Sequence, residues 1–143
     1  MATYSIFLSH SWVEQDGVER ITSLLESYRI KTGDFSYEYY SVSKDDPSQF
    51  LPSNKALQQS IEEKMKHCGC LVILAGVFAE FKRFINLELD AAKAMNIPVI
   101  VVEAADPKYT SHQEKRAAVA KIGWSDTELG DAIVKFAKKN KQR

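Results

Sequence analysis

The sequence predicts an α/β fold, a flavodoxin-like three-layer sandwich on a five-stranded parallel sheet in the order 2-1-3-4-5. Two observations predict it. Short apolar runs alternate with helical patterns five times along the chain, and the third run, CLVILA at 70–75, is apolar throughout and rich in β-branched residues. Alternating strands and helical segments need parallel strands joined by crossovers, and right-handed crossovers cover both faces of the sheet. A run without polar positions belongs to a strand buried on both faces, so 70–75 is placed in the middle.

The elements follow in order. The first strand is TYSIFLS at 3–9. A helix over 14–28 follows, with Val18, Ile21, Leu24, Leu25 and Tyr28 spaced for one buried face. Ser11 and Glu14 form an S-x-x-E capping box at its start. The second strand is YEYYSV at 37–42, and the polar loop SKDDPSQFLPSN leads to a helix over 55–67. A loop of that length is rarely idle. After the third strand and GVFAEFKR comes a helix over 84–96, then a strand over 97–104 whose Pro98 is tolerable at a strand start. Ser111 with Glu114 begins a short helix, the fifth strand is VAKIGW at 119–124, and Ser125 with Glu128 caps the last helix, whose stripe is Leu129, Ile133 and Phe136.

Composition narrows the function classes. With 45% hydrophobic and 27% charged residues, 143 residues fit one domain, 1–143, with a full core. Lysine plus arginine equals aspartate plus glutamate at 19 each, so no global field draws the chain to nucleic acid or an anionic membrane. The basic end KFAKKNKQR reads as a solvated helix terminus. No stretch approaches the ~20 apolar residues that span a bilayer, and no signal core opens the chain, so a soluble, cytoplasmic protein is expected. Cys68 and Cys70 lie too close for an ordinary disulfide and read as buried free thiols. The three histidines, His10, His67 and His112, lack ligand spacing, so no metal is expected. Neither phosphate-binding glycine motif occurs, and the third strand ends without the aspartate of a phospho-acceptor.

In such folds ligands sit outside the carboxyl ends of the strands. Ser9 to Trp12, 43–54, Gly76 to Phe78, 105–111 and Trp124 to Asp126 all map to that edge. The helix over 84–96 brings one more group. On its wheel Asn86, Asp90 and Lys93 fall within about 60° of one another, whereas Glu88 lies about 200° from Asn86, among Phe84, Leu87 and Ala91. A carboxylate withdrawn from water needs a partner or a purpose, because an unpaired buried charge costs several kcal/mol. Two readings stay open: a structural acceptor for a neighbouring loop, or a functional carboxylate.

Taken together, FLSHSW, YSVSKDDP, LVILAGVF, FINLELDAAK, IPVIVVE and KIGW resemble the TIR-like domain of the Thoeris anti-phage sensor family, within the Toll/interleukin receptor (TIR) superfamily. The resemblance covers nearly the whole chain in motif order. It implies an enzyme that cleaves NAD at the nicotinamide glycosidic bond, with NAD as substrate rather than cofactor, and makes a cyclic ADP-ribose-type messenger for a separate effector after a phage-derived trigger. The glutamate such enzymes use matches Glu88, and Phe84 stands where tryptophan is common.

By the same resemblance Ser9, His10, Ser11 and Trp12 are candidates to hold ribose, diphosphate or adenine, and Lys44, Asp45, Asp46 and Pro47 match a loop that gates the site or makes assembly contacts. Each has a bland rival: Ser11 as a helix cap, Trp12 as an anchor between loop and helix, His10 as a loop brace, Asp and Pro as turn formers. Two alternative functions are carried alongside. One is a non-catalytic module that works by self-assembly; the other is a nucleoside 2-deoxyribosyltransferase-like enzyme, which also sets a glutamate at a sugar.

Overall fold

In the computed structural model, residues 2–9, 15–41, 53–75, 82–103 and 112–138 are described. Five parallel strands, β1 (Ala2–Leu8), β2 (Phe35–Ser41), β3 (Cys70–Ala75), β4 (Val99–Glu103) and β5 (Ala118–Ile122), form one sheet in the order β2-β1-β3-β4-β5. The expected order is therefore the observed one. Helices α1 (Gln15–Thr32), α2 (Asn54–Met65), α3 (Lys82–Ala94), α4 (His112–Ala117) and α5 (Asp126–Phe136) complete the alternation.

Strand alternation divides the core in two. Ile6, Leu8, Val72, Leu74, Ile100 and Val102 face the layer of α1 and α5, where Ile21, Leu25, Tyr28, Leu129 and Ile133 pack. Their neighbours Phe7, Leu71, Ile73, Val99 and Val101 face α2 and α3, against Leu57, Ile61, Met65, Leu87, Leu89, Ala91 and Ala92. Cys70 to Leu74 of β3 are all buried, as a central strand demands. At the edge, β5 alternates between exposed and half-buried positions until Ile122, and a register shift between Val99 and Ile100 separates its pairing from the regular ladder.

Several boundaries move, each for a local reason. Helix α1 runs past 28 to Thr32 because its stop is Gly33, in the left-handed region at φ 78°, whose N–H bonds to the Arg29 carbonyl at 2.9 Å. β2 starts two residues early because Phe35 is part of the core, stacked on Tyr4 at 5.6 Å and edge-on to Tyr28 at 5.0 Å between ring centroids. Helix α2 starts at Asn54, capped by Ser53, whose hydroxyl accepts from the Ala56 N–H at 3.1 Å. Helix α3 ends at Ala94, not 96: Asn96 turns left-handed at φ 55°, and the Ile97 N–H reaches back to the Ala92 carbonyl at 2.8 Å, a Schellman closure. That cap uses Ile97 and delays β4 to Val99. β5 is likewise shorter than expected, and Trp124 lies beyond it, 40% exposed. The Ser125 cap is present, its hydroxyl accepting from the Glu128 N–H at 3.2 Å. Ser11, Glu14 and Ser111, expected at two other caps, lie outside the described residues.

Candidate functional site

Ser9 is the first residue past β1. Its N–H donates to the Val72 carbonyl at 3.0 Å, prolonging the β1–β3 ladder by one bond beyond the Leu8–Val72 pair. Alternation then gives Ser9 the same face as Phe7, the face covered by α2 and α3. From that helical layer comes Glu88. Leu87, Leu89, Ala91 and Ala92 fasten α3 to the sheet while Asp90 and Lys93 face water, so Glu88 is carried inward among apolar neighbours.

The two side chains meet. The Ser9 hydroxyl donates to Glu88 Oε1 at 2.6 Å, with Ser9 2% exposed and Glu88 0%. The bond joins residues 79 apart in sequence at the carboxyl end of β1, where a doubly wound sheet presents ligand sites. Chemically, such a carboxylate can accept hydrogen bonds from sugar hydroxyls or face a developing positive charge. A carboxylate with no exposed surface meets a ligand only when the site opens.

The other sequence candidates distribute unevenly. Phe84 falls within α3, one turn ahead of Glu88. His10, Ser11, Trp12, Lys44, Asp45 and Asp46 lie outside the described residues, as do Gly76 to Phe78 and 105–111. Glu103, half-buried at the last position of β4, shares the face of Val99 and Val101 and so the α3 side of the sheet edge. The sequence reading passed over it, although alternation along IPVIVVE would have marked it.

Among the described residues, other chemistry does not gather here. Cys68 and Cys70 are free and buried, and burial pushes the Cys68 thiol up to about 12 and Cys70 higher still, so neither is a thiolate nucleophile near neutral pH. Among the described residues no group of His, Cys, Asp and Glu could hold a metal ion, and no helix is long and apolar enough to cross a membrane. A cavity of 770 Å³ lies between α3 and α4, lined by Asn86, Asp90, Lys93, Arg116 and Val119 among others. It opens on the solvated stripe of α3, and neither Ser9 nor Glu88 lines it, so it is not where chemistry at Glu88 would occur.

The fold recurs in solved structures. A conserved protein from Enterococcus faecalis V583 superposes with a TM-score of 0.56 at 16% identity, over 94% of this chain and 99% of that one. A 3-dehydroquinate dehydratase-like protein from Bifidobacterium longum gives 0.51 at 13% identity, over 95% of each chain. At such identities the likeness concerns the fold alone. No match was found among curated proteins. Residues 7–109, a stretch that includes both Ser9 and Glu88, match the family described as Thoeris protein ThsB, TIR-like domain. With most of its length inside that match, and with the sheet order and helix layers the resemblance implied, the chain belongs to the Thoeris ThsB TIR-like family.

Proposed function

We propose that this chain is an NAD-processing enzyme of Thoeris-type anti-phage signalling, which breaks the nicotinamide glycosidic bond and closes the remaining ADP-ribose into a cyclic messenger for an effector protein. Family membership supports the anti-phage role. The observation that carries the chemistry is the buried Glu88 carboxylate, held at 2.6 Å by Ser9 at the carboxyl edge of the sheet.

Nicotinamide is bound to ribose as a cationic pyridinium. It leaves with the bonding electron pair as a neutral base, so departure needs no proton donor. What the departure needs is stabilisation of the oxocarbenium-like ribose left behind, and one carboxylate near the anomeric carbon or on the ribose hydroxyls provides it. A nucleophile of the same ADP-ribose then donates an electron pair to the anomeric carbon, forming the new bond and releasing one proton to the medium, provided water is kept from attacking first. A wholly buried Glu88 fits an enzyme that rests closed and is opened by its phage-derived trigger. NAD is the substrate, the cytoplasm is the place where NAD and phage components meet, and His10, Ser11, Trp12, Phe84, Lys44, Asp45 and Asp46 are the remaining candidates to line the substrate's path.

The test is mass spectrometry of small molecules from phage-infected cells expressing the wild type or Glu88→Gln. Free nicotinamide and a species with the mass of cyclised ADP-ribose are expected in the wild type alone. A folded Gln variant with unchanged product formation sinks the mechanism. Absence of both products across several phages favours the non-catalytic assembly module instead.

A further inference from the structure

We infer that Ser9 is a positioning residue for Glu88 and not a contact for substrate, an assignment that rests on the NAD-cleaving reading above. Its backbone is tied into the sheet by the N–H bond to the Val72 carbonyl at 3.0 Å, so its Cα moves only with β1 and β3. Its hydroxyl carries a single proton, and that proton is committed to Glu88 Oε1 at 2.6 Å. While the bond stands, Ser9 donates to no ribose or phosphate oxygen. At 2% exposure it also offers a ligand almost no surface.

The consequence lies in where the two residues come from. Glu88 rides on α3, and the packing of Leu87, Leu89, Ala91 and Ala92 fixes where its backbone stands but not where the end of its side chain points. A glutamate side chain has three rotatable bonds, and the Ser9 hydroxyl fixes one of its oxygens relative to the sheet edge. Stabilising a developing cation depends on a carboxylate already in place when charge develops. Loss of the tether therefore lowers turnover, by about ten- to a hundredfold for a misplacement of roughly an ångström, and leaves the NAD concentration for half-maximal rate nearly unchanged.

The experiment compares wild type, Ser9→Ala, Ser9→Thr and Glu88→Gln as full-length proteins purified from phage-infected cells, each assayed for nicotinamide release over a range of NAD. The infrared carboxyl band of Glu88 is isolated in parallel by subtracting the Glu88→Gln spectrum. The expected result is that Ser9→Ala lowers kcat with little change in KM and shifts the Glu88 band, while Ser9→Thr, which keeps a hydroxyl, restores both. A raised KM at unchanged kcat makes Ser9 a substrate contact and overturns the assignment, as does a Glu88 band that Ser9→Ala leaves in place. Active wild type with inactive Glu88→Gln and fully active Ser9→Ala defeats the positioning role alone. A wild type that never releases nicotinamide defeats the NAD-cleaving reading, and the positioning role with it.

Discussion

Removing Ser9 and Glu88 together is expected to cost less stability than the two single losses added. Ser9→Ala removes the hydroxyl that donates to Oε1 of the 0% exposed Glu88 at 2.6 Å, a loss of about 1–3 kcal/mol. Glu88→Leu removes the group that accepts from the Ser9 hydroxyl, itself 2% exposed, for about 1–3 kcal/mol. In the double variant both partners of this one bond are gone, so its loss is counted once. Counted once in the double variant instead of twice, the bond gives a coupling between the sites of about 1–3 kcal/mol. Urea denaturation of the four proteins, followed by circular dichroism, measures it. A double variant destabilised by the sum of the singles, within about 0.5 kcal/mol, refutes the reasoning, because it shows that the two side chains act independently.

Gly130→Ala gains roughly 1 kcal/mol of helix propensity, but its Cβ would stand 2.2 Å from the Tyr28 ring, which packs on Phe35 and donates its hydroxyl to Asp131. Overpacking of about 1–3 kcal/mol together with a disturbed hydrogen bond outweighs the gain, so the urea midpoint falls; a raised midpoint reverses that ranking. The Lys31 ammonium at 2.6 Å, and then the Ser27 hydroxyl, hold the Asp126 carboxyl well below its usual range. Its contribution is therefore present above the ordinary value of 3.8 and lost as pH falls through the lower folded value, so wild type and Asp126→Asn differ in thermal midpoint near neutral pH and converge in acid. Because Lys31 is largely exposed, that difference shrinks in high salt. Cys68 and Cys70 react with a thiol reagent slowly in the native protein and at once in denaturant, as burial and raised pKa require; fast native labelling would show that the α2–β3 corner opens readily.

What the sequence made legible follows from which forces are periodic. The sheet order and both helix layers could be read because burial repeats every second residue in a strand and about every 3.6 in a helix, and Ile21, Leu25, Leu129 and Ile133 obey that pattern. Element ends depend on single residues in particular backbone states. Gly33 and Asn96 in the left-handed region and Ser53 as a cap each moved a boundary that apolar periodicity had placed elsewhere. These signals were present in the letters, but a glycine or asparagine marks a stop only once its dihedral angle is known.

The site shows the same division at longer range. Periodicity alone turned Glu88 away from water, since no helical wheel places it with Asp90 and Lys93. The identity of its partner was not periodic information: Ser9 and Glu88 meet because β1 and β3 are adjacent and α3 returns over their α2-side face, a consequence of the crossover connection. The polar ending of β1 therefore has a physical account in which Ser9 serves the interior before it serves any ligand. A buried hydroxyl from the end of β1 and a buried carboxyl group from the helical layer tie α3 to the sheet at the edge where doubly wound folds hold their ligands, and that tie accounts for the polar residue at the end of an apolar strand.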